Sequence, residues 1–191
     1  TAEKVPKSSL IEDAGWMKLM AENVDANPRR APKETLKALP KKTGTRTGIV
    51  TCMKNEGPFI LEWLAYHRAI GVQDFLVYTN DCTDGTDTFL QMLQNKGYVQ
   101  HRENPFREMQ MKPQHGALLA AEKEPLVQSL DWVISMDVDE FINIHVGKGH
   151  LSDLFAATGD ANMISMTWRL FGNSDVAAFR DEFIIEAFTS C

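Results

Sequence analysis

From Thr47 onward, short apolar runs alternate with stretches whose apolar residues recur every three or four positions, and these two periods predict strands and helices in turn. Gly48–Met53 reads as a strand and Lys54–Gly57 as its exit loop. Pro58 then opens a helix with Phe59, Ile60, Trp63, Leu64, His67 and Ile70 on its apolar side, stopped by Gly71. Phe75–Tyr78 is a second strand, and Asn80–Thr86 leads into a helix carrying Phe89, Leu90 and Leu93 that ends at Gly97. A third strand starts at Tyr98 and Val99, an irregular stretch surrounds Asn104–Arg107, and a helix lies near Gln114–Glu124 until Pro125 breaks or restarts it. Trp132–Met136 is a continuous apolar run of the kind that forms a strand covered on both faces. Leu151–Ala157 reads as a helix, and Met163–Trp168 and Glu182–Glu186 read as strands. This alternation predicts an α/β domain, residues 47–191, built on a mainly parallel, Rossmann-like sheet with helices on both faces. Residues 8–24 fit an amphipathic helix capped by Ser8 or Ser9, and residues 27–46, with Pro28, Pro32 and Pro40 among basic residues, fit a linker.

The run at Trp132 ends abruptly in Asp137, Asp139 and Glu140. An unpaired carboxylate is too costly to bury, so the pair belongs at the carboxyl end of its strand, where open α/β sheets receive ligands. Strand alternation points Asp137 and Asp139 to one side. Two hard oxygen ligands there suit Mg²⁺ or Mn²⁺, which leaves sites for phosphate oxygens; the competing reading is an acidic turn. The loops at Asn55/Glu56 and at Asn80–Asp84 follow two other strands, so a parallel sheet brings all three to one edge.

Charge sharpens this picture. Residues 1–46 hold ten Lys/Arg against six Asp/Glu, whereas residues 47–191 hold ten against twenty. The acidic main domain therefore excludes a nucleic-acid surface and requires a local positive centre for any phosphorylated ligand. Arg102, Arg107 and Lys112, between the third strand and the Asp pair, are candidates to hold a diphosphate or are simply solvated charges. The Asn80–Thr86 loop does not fit a calcium loop, because Cys82 and Gln91 fall where oxygen ligands are needed; Asp84 or Thr86 caps the next helix, and Asp81 can accept hydrogen bonds from a base or ribose. His67, on an apolar helical face, reads as a packed core histidine. The remaining histidines have no ligand spacing, and Cys82 has no base partner that would make it a nucleophile. Cys52, Cys82 and Cys191 form no disulfide framework, so reduced thiols and a cytoplasmic setting are expected. No run reaches the ~18 apolar residues of a membrane span, although the basic linker leaves contact with a membrane surface open.

Four segments, Cys52–His67, Tyr78–Thr86, Asp137–Phe141 and Trp168–Gly172, together resemble the glycosyltransferases of the GT-A fold, in particular the family 2-like group. The resemblance implies transfer of a sugar from a nucleoside diphosphate sugar to the hydroxyl of a saccharide, lipid or protein acceptor, with Mn²⁺ or Mg²⁺ between the diphosphate and the Asp-x-Asp motif. By position it implies that Asn55, Glu56, Asp81 and Asp137 contact the nucleotide sugar, that Asp137 and Asp139 hold the metal, and that the sugar carbon is inverted. Glu140 and Phe141 match without an assigned role. A later carboxylate would be the catalytic base, and Asp181 and Glu182 are candidates by location.

Two alternatives stand beside this reading. A haloacid-dehalogenase-like phosphohydrolase also places Asp-x-Asp after an apolar strand, but its motif expects Thr or Val where Phe141 stands, and its nucleophile strand comes early in the domain. A non-catalytic nucleotide-sugar-binding fragment is the other. The chain opens on Thr without an initiator Met and stops at Cys191, so a piece truncated before the acceptor segment is expected.

Overall fold

The computed structural model describes residues 44–190 apart from 174, 177 and 179. The predicted helix at 8–24 and all but the end of the linker lie outside the described residues. In chain order the elements are β1 (Thr47–Met53), a 3-10 turn (Gly57–Phe59), α1 (Ile60–Ile70), β2 (Asp74–Thr79), α2 (Thr86–Asn95), β3 (Gln100–Glu103), α3 (Pro113–Ala121), α4 (Pro125–Ser129), β4 (Trp132–Ser135), α5 (Leu151–Thr158) and α6 (Ile184–Ala187). The four strands form one all-parallel sheet in the order β3-β2-β1-β4, the α/β architecture expected from the sequence.

Alternation along β1 and β2 divides the core in two. Ile49, Met53, Phe75 and Val77 face α1 and α2, where they meet Ile60, Trp63, Leu64, Leu90 and Leu93. Val50, Leu76 and Tyr78 face the other way, against Ala117 and Ala121 of α3. Helices therefore cover both faces. α1 begins where Pro58 sets the first turn, buries Ile60, Trp63, Leu64 and His67, and ends at Gly71, whose φ of 113° is costly for any residue with a Cβ.

Three expectations change. β3 starts at Gln100 because Gly97 and Tyr98 are still closing α2, the Tyr98 N–H donating 3.0 Å to the Leu93 carbonyl. β4 is not covered on both faces, since Val133 is 49% exposed, and among the described residues it pairs with β1 alone. Met163–Trp168 forms no strand, and Glu182–Glu186 contributes instead to the short helix α6. These segments carry strand-forming residues without a partner strand, and pairing decides the outcome. α6 is held by Glu62 of α1, whose carboxylate accepts the N–H groups of Ile184 (2.7 Å) and Ile185 (3.2 Å). No helix among the described residues is long and apolar enough to cross a membrane.

Candidate active site

The chain runs from β1 through β2 to β3 on one side and then returns to the other side of β1 as β4. The carboxyl ends of β1 and β4 thus flank a topological switch point, where a parallel sheet opens a crevice. A cavity of about 380 Å³ lies there, lined by Cys52, Met53 and Lys54 after β1, Asn80 after β2, Lys112, Pro113, Gln114 and His115 at the start of α3, and Asp137 after β4.

Beyond β4 the strand's alternation continues: Met136 and Val138 are buried in the core while Asp137 and Asp139 are exposed. Glu140 closes the turn, its carboxylate accepting the Asp137 N–H at 2.9 Å while its own N–H donates 3.2 Å to the Asp137 carbonyl. Phe141 anchors the turn by packing on His67 and against the edge of Tyr66. His67 is fully buried, with Nδ1 2.8 Å from the Trp63 carbonyl and Nε2 accepting the Ile142 N–H at 3.4 Å. With those partners the ring is neutral, and burial pushes its pKa down to about 4. It is a core histidine, as its apolar helical face predicts, and it fastens the acidic turn to α1.

The three loops do converge. Asn55 accepts the Thr83 N–H at 2.8 Å and donates 3.1 Å to the Thr83 hydroxyl, joining the β1 loop to the β2 loop. The Thr86 hydroxyl accepts the Glu56 N–H at 3.0 Å and donates to Asp84 at 2.9 Å. Asp84 also accepts the Thr86 N–H, within the first turn of α2. Burial raises the pKa of Glu56, and the charges of Asp139, Asp84 and Asp137 raise it further, so four carboxylates from three loops act on one locality.

Of the predicted site residues, Asp137 and the diphosphate candidate Lys112 line the cavity. The Asn55 side chain is engaged with Thr83. Asp81 faces Arg107, whose Nη2 lies 2.9 and 2.7 Å from the two carboxylate oxygens and holds the acid below the ordinary carboxylate range. Arg102 is turned away and bonded to Glu124 at 3.0 Å. Asp181 and Glu182 are exposed, with Glu182 3.8 Å from Arg180 and neither acid on the cavity wall. Among the described residues no group of three or more His, Cys, Asp or Glu side chains stands close enough to hold a metal ion by itself. Asp137 and Asp139 are both exposed on this turn and both act on Glu56, a pair of hard oxygen donors of the type a cation with phosphate and water ligands would take.

Sequence reasoning missed the cavity's supports. Asn104 is 6% exposed and donates to the Pro113 carbonyl at 2.9 Å and to Cys52 Sγ at 3.2 Å, tying the end of β3 to α3 and β1. The Cys52 thiol is raised in pKa, chiefly by burial. Gly116 packs directly on this junction: a Cβ there would stand 2.6 Å from Phe106 Cβ and 2.7 Å from Phe106 Cα. Replacing Gly by Ala inside a helix normally helps by about 1 kcal/mol, but a contact with backbone cannot be relieved by a rotamer change. Gly116→Ala is therefore expected to lower stability by about 1–3 kcal/mol. A urea unfolding midpoint that rises or stays unchanged would contradict this packing. The sequence signal was a single glycine within an otherwise regular helical stretch.

Residues 47–187 match the model of glycosyltransferase family 92. The chain belongs to that family. The family 92 domain is 24% identical over 150 residues to a family 92 protein of Arabidopsis thaliana, a match covering 72% of this chain and 25% of that protein. It is 33% identical over 100 residues to one from Oryza sativa subsp. japonica (50% and 16%) and 31% identical over 101 residues to one from Ricinus communis (52% and 17%). The matches thus span a quarter or less of these relatives' length. No solved structure matches the chain.

Proposed function

We propose that this family 92 domain binds a nucleoside diphosphate sugar at the carboxyl edge of its sheet and transfers the sugar to an acceptor hydroxyl on a saccharide, lipid or protein, as a GT-A-type enzyme. The observation that carries this reading is the cavity at the β1/β4 switch point, with Asp137 in its wall and Asp139 on the same turn. Asp137 and Asp139 would hold Mn²⁺ or Mg²⁺, and such a cation supplies charge neutralisation for the departing diphosphate. The chain's own residues orient the parts: Glu140 fixes the acidic turn, the Asn55–Thr83 pair fixes the β1 and β2 loops, and Asn104 fixes the start of α3. A carboxylate must take the acceptor proton. Asp181 and Glu182 are the candidates near α6, which Glu62 ties to the first turn of α1, and a base opposite the leaving group would invert the sugar carbon.

Family membership favours transfer over the phosphohydrolase reading. The test is a thermal-shift panel of nucleoside diphosphates and their sugars with and without Mn²⁺. One nucleotide class is expected to stabilise the domain by about 2.7 kcal/mol at a hundredfold excess over its Kd. Hydrolysis of small phosphoesters with no response to any nucleotide sugar would overturn the reading.

A further inference from the structure

We propose that Lys112 and Lys54, which line the cavity together with Asp137, form a diphosphate subsite that works without a metal ion. The proposal rests on the donor reading above and divides its site into two halves. Asp137 represents the acidic half, together with Asp139, Asp84 and Glu56, whose charges act on one another. Lys54 and Lys112 line the same cavity from the β1 loop and from the residue that precedes α3.

These two lysines differ from the neighbouring arginines in lacking a direct carboxylate partner among the described residues, although the Lys54 charge also acts on Asp81. Three arginines of the domain are each held by a carboxylate: Arg46 by Asp74, Arg102 by Glu124 and Arg107 by Asp81. Among the described residues neither Lys54 nor Lys112 forms a salt bridge, and both are exposed. Residues 47–191 hold ten Lys/Arg against twenty Asp/Glu, so a polyanion approaching the domain is repelled except where local cations reverse the field. Two flexible ammonium groups lining one cavity do that, and a lysine's point charge suits phosphate oxygens. The start of α3 adds to the effect: Pro113 occupies its first turn, no side chain caps it, and Gln114 and His115 of that turn line the cavity.

The division has a measurable consequence. Part of the diphosphate affinity belongs to the lysines and persists when cations are chelated, whereas a cation on the acidic half adds to it. The experiment titrates inorganic pyrophosphate into the protein in EDTA by calorimetry, at low and moderate salt, using wild type, Lys112→Met, Lys54→Met and Asp137→Asn. Methionine keeps the stem and removes the charge, and unchanged melting temperatures control for folding. Each lysine variant is expected to weaken pyrophosphate about tenfold, the loss of one charge-assisted hydrogen bond. Asp137→Asn is expected to leave binding in EDTA intact or tighter. Equal affinity in wild type and both lysine variants overturns the inference, as does pyrophosphate binding only with Mn²⁺. A parallel titration with nucleoside diphosphates separates the two levels. Binding that requires Mn²⁺ and ignores the lysines removes this subsite but leaves the donor reading standing; no nucleotide binding with or without Mn²⁺ removes both.

Discussion

Asp137→Asn is expected to reduce sugar transfer by about 10²–10³-fold, the scale on which loss of one well-placed electrostatic group acts in a transition state. Asp139→Asn should do the same, and the double variant should cost less than the product of the two because both acids serve one turn. Stability should hardly change. Both side chains are exposed, and the contact that shapes the turn runs from the Asp137 backbone N–H to Glu140, which Asn preserves. The substitution also removes one of the negative charges that raise Glu56, so the Glu56 pKa should fall towards its ordinary value in Asp137→Asn, as NMR titration of the carboxyl carbon would report. Turnover and cation affinity both equal to wild type would refute the assignment of this turn. A lowered melting temperature would instead mean that Asp137 has a structural part the geometry does not give it.

The acidic turn was legible in the sequence because its signal is local. Met136 and Val138 pointing inward force Asp137 and Asp139 outward, whatever the rest of the chain does. β1, β2 and α1 were legible for the same reason: their apolar periods coincide with the faces they bury, and Gly71 stands where a left-handed residue ends the helix. The features that escaped depend on partners far away in sequence. Arg107 reads as a free cation until Asp81 is placed beside it. Asn104 reads as a loop residue until Pro113 and Cys52 come within reach of its amide. Met163–Trp168 reads as a strand because Ile, Thr and Trp favour one, yet Met163 and Trp168 are 84% and 72% exposed in a segment without ladder partners. Edge character in β4 was equally hidden, since an apolar run does not say how many neighbours its strand will have.

Between about pH 6.5 and 4 the domain is expected to lose on the order of 3 kcal/mol of stability through His67 alone. Burial holds the folded-state pKa at about 4 against 6.5 for the free side chain, with the Trp63 carbonyl opposing part of that shift. The sign follows from proton counting. In this window the unfolded chain binds a proton that the folded ring refuses, so the loss accumulates as pH falls and stops growing below about 4, where the folded ring is protonated too. No carboxylate is among the causes of the shift, and the rings beside it are Trp63, Tyr66 and Phe141. Other groups are shifted as well, Glu56 upwards and Asp81, Asp84 and Asp153 downwards, so the measurement is a difference between proteins. His67→Leu leaves the Ile142 N–H without its acceptor and should cost about 1–3 kcal/mol at pH 7. The variant lacks the His67 titration, so urea midpoints of the two proteins should draw together as pH falls from 7 towards 4.5 and then cross or meet. Parallel pH profiles would show that the ring is hydrated or already charged in the fold. Because His67 supports Phe141 and Ile142 directly after the acidic turn, protonation of its ring is expected to weaken the hold of α1 on that turn.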